Sequence, residues 1–221
     1  MLKYEELLNS LEIIDIYNKI DKTNNYYKNH GTKHMKNVVK ISNKLIDLFN
    51  IDENEKNNIL IAAILHDIGR VVDDETHAYQ SKIMAEKIIH NKVEINDEKY
   101  ILKMIENHGR DKIDKRNTIG EEILFLADKM DMSRERLEDD YQLKYNIKSG
   151  LEYIQSIDFR KQENILIVIA NSNNTITLQE FEKIEPKFIL ELNSICKDFT
   201  YKMNLQYKIY FDNQIIENVK E

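Results

Sequence analysis

The stretch "IAAILHDIGR", residues 61–70, places a histidine beside an aspartate at the end of an apolar run. A charged carboxylate that is buried without a partner costs roughly several kcal/mol or more, so such groups are paired or bind a metal. His66 and Asp67 are therefore candidate metal ligands on a helix that the apolar run predicts to be buried.

Three further side chains that can bind a metal occupy inward positions of predicted helices. His34 begins an apolar stripe that recurs every three to four residues, and His108 closes a helix just before Gly109. Asp128 is a charged residue in the middle of the apolar helix that contains "ILFLADKMD". Helical bundles build metal sites from inward side chains on facing helices, so this pattern predicts one shared site inside a bundle.

The types of these side chains restrict the metal. Imidazole nitrogen and carboxylate oxygen suit divalent iron, manganese, zinc, nickel or cobalt. The chain has one cysteine, Cys196, which we interpret as a small buried apolar residue. A closed structural zinc site is disfavoured because cysteine ligands are lacking.

The elements that must position these residues are mostly helices up to about residue 158. The predicted helices cover residues 3–21, a stretch from His34, a buried stretch that stops near Gly69, and residues 78–91, 97–107, 118–139 and 141–157. Beyond them, "NILIVIANSNN" and "LQYKIYFDN" predict strands, "TITLQEFEKI" a strand entering a helix, and residues 186–203 a helix. We therefore predict an all-α helical bundle, residues 1–158, with a small C-terminal α+β appendage, residues 159–221, packed on it.

Composition disfavours several functional classes. The net charge of −7 argues against general nucleic-acid binding, which needs a basic face. A single cysteine allows no internal disulfide, which fits a reducing cytosol. No signal peptide is evident, and the apolar run from Ile59 to Leu65 is too short to span a bilayer. We expect a cytoplasmic protein with neither membrane nor nucleic-acid partners.

Five blocks of the sequence resemble, in the same order, those of the HD superfamily of metal-dependent phosphohydrolases. The blocks are "HGTKHMKNVV", "AAILHDIGR", "HAYQSKIMAEKI", "IENHG" and "ILFLADKMD". The resemblance covers roughly residues 25–140 and implies the HD-domain fold, whereas the appendage lies outside it.

The resemblance also implies a set of metal ligands. The HD pair, an earlier histidine and a later aspartate make the basic set, and the two-metal subset of the family adds two histidines in between. The implied ligands are His34, His66, Asp67, His77, His108 and Asp128. Their order is closest to that of HD-type dinucleoside polyphosphate hydrolases. We expect two divalent metal ions, with iron or manganese favoured over nickel, cobalt, zinc or magnesium.

The implied reaction is hydrolysis of a phosphate ester or anhydride. Asp67 would bridge the two ions and orient a hydroxide held between them, which is the nucleophile. Arg70 follows "HDIG" and Lys129 follows the last aspartate, so both are candidates to contact the negatively charged phosphate. His30 lies four residues before His34 and is a candidate to donate to the substrate or leaving group.

Three other residues of this region receive an interpretation. Tyr26 and Tyr27 in "NNYYKNHG" are interpreted as loop-packing residues, with stacking on a base as the alternative. His90 lies outside the matching blocks and is interpreted as a surface residue.

Two other functions stay open at this point. Some two-iron members of the superfamily are oxygenases, and their ligand set would be the same. A non-catalytic nucleotide-binding sensor that signals through the appendage is the third alternative. The expected partner is a small phosphorylated substrate, with a nucleotide favoured. A homodimer formed through the appendage stays an open alternative.

Overall fold

Residues 2–23 and 28–218, which the computed structural model describes, divide into two units. The helical unit contains residues 2–23 and 30–128, and the sheet unit contains residues 28–29 and 129–218. No helix within these described residues is long and apolar enough to cross a membrane.

The helical unit is built around α4. Its helices are α1 (Tyr4–Leu8), α2 (Leu11–Thr23), α3 (Thr32–Phe49), α4 (Glu53–Leu65), α5 (His77–Ile89), α6 (Ile95–Asn107) and α7 (Ile119–Lys129). All residues from Asn57 to Leu65 are buried, and α4 packs against α3 and α6. Asp52 begins this helix, because its Oδ1 accepts the backbone N–H groups of Asn54 and Glu55, each at 3.0 Å.

Two predicted helices of this part are shorter than expected. The helix predicted over residues 3–21 is broken after α1, where the Asn9 side chain donates from Nδ2 to the Glu5 carbonyl at 2.8 Å. Such a bond competes with continuation of a helix. The helix predicted over residues 118–139 ends at Lys129, and a short 3₁₀ turn, Arg134–Arg136, follows.

The sheet unit contains a four-stranded sheet in the order β1-β2-β3-β4. Its elements are α8 (Tyr141–Tyr145), β1 (Ile154–Gln162), β2 (Ile165–Ser172), α9 (Leu178–Ile184), α10 (Phe188–Met203), β3 (Gln206–Phe211) and β4 (Gln214–Asn218). The pair β2–β3 is parallel and the other two pairs are antiparallel. A parallel pair needs a long crossover, which α9 and α10 provide.

The structure confirms a helical domain with a small C-terminal α+β appendage, and it corrects two elements. The helix predicted over residues 141–157 is wrong: α8 ends at Tyr145, the next residue, Asn146, has a left-handed φ of 52°, and β1 begins at Ile154. The strand predicted in "TITLQ" is also wrong, because Thr177 caps α9 instead. Residue 158, after which the sequence predicts the domain boundary, lies within β1.

Candidate metal centre

The apolar helix α4 delivers His66 and Asp67 to a buried position. His66 follows the last residue of α4 with helical backbone angles, and both side chains are almost completely inaccessible to solvent. The His66 Nδ1–H donates to the carbonyl of Ala63 at 2.8 Å, which fixes the orientation of the imidazole ring.

Two other histidines are held in the same way. His77, the first residue of α5, donates from Nδ1 to the Asp74 carbonyl at 2.7 Å. His108, just after α6, donates from Nδ1 to the Ile105 carbonyl at 2.6 Å. A neutral imidazole whose Nδ1 carries the proton has its lone pair on Nε2, so these rings present acceptor nitrogens.

The first group of candidate ligands lies where α3, α4 and α7 meet. The Nε2 atoms of His34 and His66 are 3.3 Å apart, and Asp128 Oδ1 lies 3.2 Å and 3.8 Å from them. Asp67 Oδ2 lies 3.6 Å from the Nε2 of His34 and 3.7 Å from that of His66.

The second group is formed by the other oxygen of Asp67. Its Oδ1 lies 3.5 Å from His77 Nε2 and 3.8 Å from His108 Nε2, and these two nitrogens are 3.3 Å apart. The structure thus brings together all six side chains that the sequence nominates as ligands, while their role as ligands stays a prediction.

The chemistry of the second group fits a divalent cation. The lone pairs of His77 and His108 face each other at 3.3 Å, and two acceptors cannot bond to one another. The buried Asp67 Oδ1 accepts no hydrogen bond within the described residues. A cation bound by these three atoms would satisfy each of them, and imidazole with carboxylate is a donor set that transition metals prefer.

Arg70 and His30 both contact Asp67. Arg70 donates from Nε to Asp67 Oδ2 at 2.7 Å and from Nη1 to Asp74 Oδ1 at 2.9 Å, and its Nη2 lies 3.4 Å from His77 Nε2. His30 donates from Nδ1 to Asp67 Oδ2 at 3.3 Å. These two of the candidate catalytic residues nominated from sequence thus lie beside the candidate ligands.

Burial and neighbouring charge set the protonation states. Burial alone would raise the pKa of the Asp67 carboxyl, but the charged guanidinium of Arg70, which donates to it, holds that pKa well below its usual range. Burial lowers the pKa of His66, and it lowers the pKa of His30 to about 4 against the opposing effect of Asp67. A charged carboxylate and neutral imidazoles are the forms that bind metal ions.

The remaining nominated residues have mixed outcomes. Lys129 is the half-buried last residue of α7, next to Asp128 in the chain, and its predicted contact with phosphate stays a prediction. His90 is exposed as predicted, and its Nδ1 lies 3.2 Å from Glu98. Tyr26 and Tyr27 lie outside the described residues.

Sequence reasoning missed three buried charged residues around His108. Arg116, Glu121 and Glu122 are each at most 2% exposed. Charged side chains are normally expected at the surface, which is why they passed unnoticed. The spacing of Thr118 and Glu121 is that of a helix capping box and could have revealed one of them.

Comparison with known proteins gives a family match for part of the chain. Residues 31–133 match the family model described as "HD domain", a segment that contains all six candidate ligands. No curated protein matches the chain significantly.

Two solved structures are similar to the chain. One is a predicted HD superfamily hydrolase from an uncultured Thermotogales bacterium, with 19% identity and a TM-score of 0.45 over 61% of this chain and 82% of that one. The other is a Lactobacillus plantarum protein, with 18% identity and a TM-score of 0.41 over 62% of this chain and 64% of that one.

Proposed function

We propose that this protein, whose residues 31–133 match the HD domain family model, hydrolyses a phosphate ester or anhydride of a nucleotide or another small phosphorylated molecule. The family match supports the resemblance to the HD superfamily and a metal-dependent hydrolase, whereas the two-metal subset stays a prediction. The phosphorylated substrate and the number and kind of ions belong to the proposal.

The arrangement around Asp67 is the observation that carries the proposal. Oδ2 of this carboxylate faces His34 and His66, while Oδ1 faces His77 and His108. One carboxylate that serves two separate histidine pairs supports a site for two divalent ions, for which iron or manganese remain our first choices. Divalent ions bound there would lower the pKa of a water molecule toward about 7 and polarise a phosphoryl group.

Arg70 is suited to bind the phosphate. A guanidinium carries five N–H donors, and the bonds to the carboxylates of Asp67 and Asp74 use two of them. The others can donate to a phosphoryl oxygen, where negative charge develops in the transition state. Lys129, beside Asp128 in the chain, would add a second positive charge.

His30 is suited to move a proton. Its pKa of about 4 keeps it uncharged at neutral pH, and its Nδ1–H is donated to Asp67. Its Nε2 is then an acceptor that can take a proton and return it to the leaving group.

The test combines metal analysis with a screen of phosphorylated metabolites. Purified protein reconstituted with Mn²⁺ or Fe²⁺ is expected to bind two ions and to release phosphate from at least one nucleotide. Asp67→Ala is expected to lose metal and turnover while it keeps its helical circular dichroism. The matched variant Asp47→Ala removes an exposed carboxylate of α3 and is expected to change neither.

Full metal content and full turnover in Asp67→Ala would refute the proposal. Oxygen consumption with product formed only in air would identify the two-iron oxygenase instead. Tight binding of a nucleotide without turnover of any compound would identify the sensor.

A further inference from the structure

Both chain neighbours of His108 are hydrogen-bonded to residues in the first turn of α7 or just before it. Asn107 donates from Nδ2 to Glu121 Oε1 at 2.8 Å, and Arg116 donates from Nη1 to the Gly109 carbonyl at 2.9 Å. His108 therefore sits on a short segment that is held on each side by a charged group of the helical unit.

The bond from Asn107 goes beyond what a helix cap requires. Glu121 Oε2 accepts from the backbone N–H groups of Asn117 and Thr118 at 2.9 Å and 3.1 Å and from Thr118 Oγ1 at 2.9 Å. These bonds complete the cap of α7 with one oxygen. The second oxygen reaches across to α6 and holds the residue that precedes His108.

The other side is held by a buried ion pair. Arg116 donates from Nε to Glu122 Oε1 at 3.1 Å, and its guanidinium lies 3.7 Å over the ring of Phe125. Both charged groups are almost fully buried. A buried ion pair gains little stability over well-packed apolar residues, so its presence calls for a positional explanation.

We propose that Glu121 and the Arg116–Glu122 pair are positioning residues that hold His108 in place for metal binding. The helix α7 also carries Asp128, a ligand of the first group, near its end. Because its first turn holds the segment with His108, a ligand of the second group, one rigid helix would align a ligand in each group. This inference rests on the proposed function only in taking His108 as a metal ligand.

The substitution Glu121→Gln tests the first of these links. Glutamine is accepted at this position of a capping box, so the cap of α7 is kept. Its NH₂ group, however, would face the NH₂ group of Asn107, and a bond could form again only if the Asn107 amide turned its Oδ1 toward it. The variant Asn107→Leu has no polar side-chain atom and tests the same link without that route. We expect the affinity for one of two Mn²⁺ ions to fall about 10- to 100-fold, as for other partners that orient metal ligands. Titration calorimetry with elemental analysis measures it.

A donor–acceptor exchange provides the rescue. In the double variant Asn107→Asp with Glu121→Gln, the new amide donates to the new carboxylate, and the total charge is unchanged. We expect it to restore most of the Mn²⁺ affinity. The control is Glu180→Gln in the exposed capping box of α9, where the same change touches no candidate ligand and is expected to leave Mn²⁺ binding unchanged.

The second link is tested by Arg116→Lys, which keeps the charge but loses the planar fork that reaches both Glu122 and the Gly109 carbonyl. We expect a comparable loss of affinity for one ion. Unchanged affinity in folded Asn107→Leu and Arg116→Lys would overturn the proposal, and so would a folded exchange variant that binds no better than Asn107→Leu.

A measurement without metal separates this inference from the proposed function. In the chelator-treated wild type, the His108 Nδ1–H is expected to give one sharp imidazole NMR resonance, because it donates to the Ile105 carbonyl. In Glu121→Gln this resonance is expected to broaden or to exchange faster. A sharp resonance in the variant would overturn the positioning role, whatever the protein hydrolyses.

Discussion

Substitution of Gly69 by alanine should separate the segment after Asp67 from helix α5. Gly69 is buried, and a Cβ atom added there would meet the backbone nitrogen of Ser81 and the backbone carbonyl oxygen of His77 well inside 3.0 Å. Real Cβ atoms essentially never approach so closely, and backbone atoms cannot rotate away as a side chain can. The two segments would therefore have to move apart.

The expected cost has two parts. Overpacking of a buried site costs about 1–3 kcal/mol. The Gly69 N–H donates to the buried Ser81 Oγ at 2.8 Å, and such a bond contributes about 0.5–1.5 kcal/mol. We therefore expect the free energy of unfolding to fall by about 2–4 kcal/mol. A displacement of roughly 1 Å between Asp67 and His77 should also lower turnover by about 100-fold.

Urea denaturation and metal-dependent phosphate release measure these effects, and Gly109→Ala is the matched control. Gly109 also adjoins a candidate ligand, but its added Cβ would meet only the exposed side chain of Asp111 at 2.6 Å, with the next atom at 3.7 Å. That side chain can rotate, so we expect a change within about 0.5 kcal/mol. Equal losses in both variants, or a fully stable and active Gly69→Ala, would refute the reasoning.

Two further predictions concern the sheet unit. Arg136→Met should lower the free energy of unfolding by about 3–5 kcal/mol. The variant leaves the buried Asp131 without the guanidinium that now donates to its Oδ2 at 3.0 Å. A loss below about 1 kcal/mol in urea denaturation would contradict this. Cys196 should react with an aromatic disulfide reagent only after denaturation, since the residue is buried and burial raises the pKa of its thiol. Prompt reaction of the native protein would contradict this prediction.

The helices could be predicted where a local pattern reports burial. The helices predicted over residues 78–91 and 97–107 agree with α5 and α6 within two residues at each end. Strand β1 escaped prediction although its partner β2 is the next strand: Phe159 pairs with Val168 across a two-residue turn. The sheet that contains this hairpin depends on the distant pairing of Val168 with Ile209 of β3. Local periodicity does not encode such pairing, and tertiary context overrides propensity.

The candidate ligands differ in how far the residues alone could reveal them. His34 and Asp128 lie in apolar stripes, where a polar residue stands out. His77 begins α5 with a side chain that is 21% exposed, so no stripe marks it, and only the family resemblance nominated it. Glu121 and Arg116 have residue types that are normally exposed, and their burial follows from the packing of α6 against the start of α7.

The arrangement of the site explains why a helix as apolar as α4 ends in costly polar groups. His66, His77 and His108 each give their Nδ1–H to a carbonyl three residues earlier, so each ring is fixed before any ion binds. The Nε2 lone pairs of His77 and His108, which face each other at 3.3 Å, lower the stability of the fold. Burial of the nine residues at the end of α4 offsets that loss of stability. A conflict between local stability and side-chain placement is expected where a protein binds or reacts, and the residues around Asp67 show such a conflict.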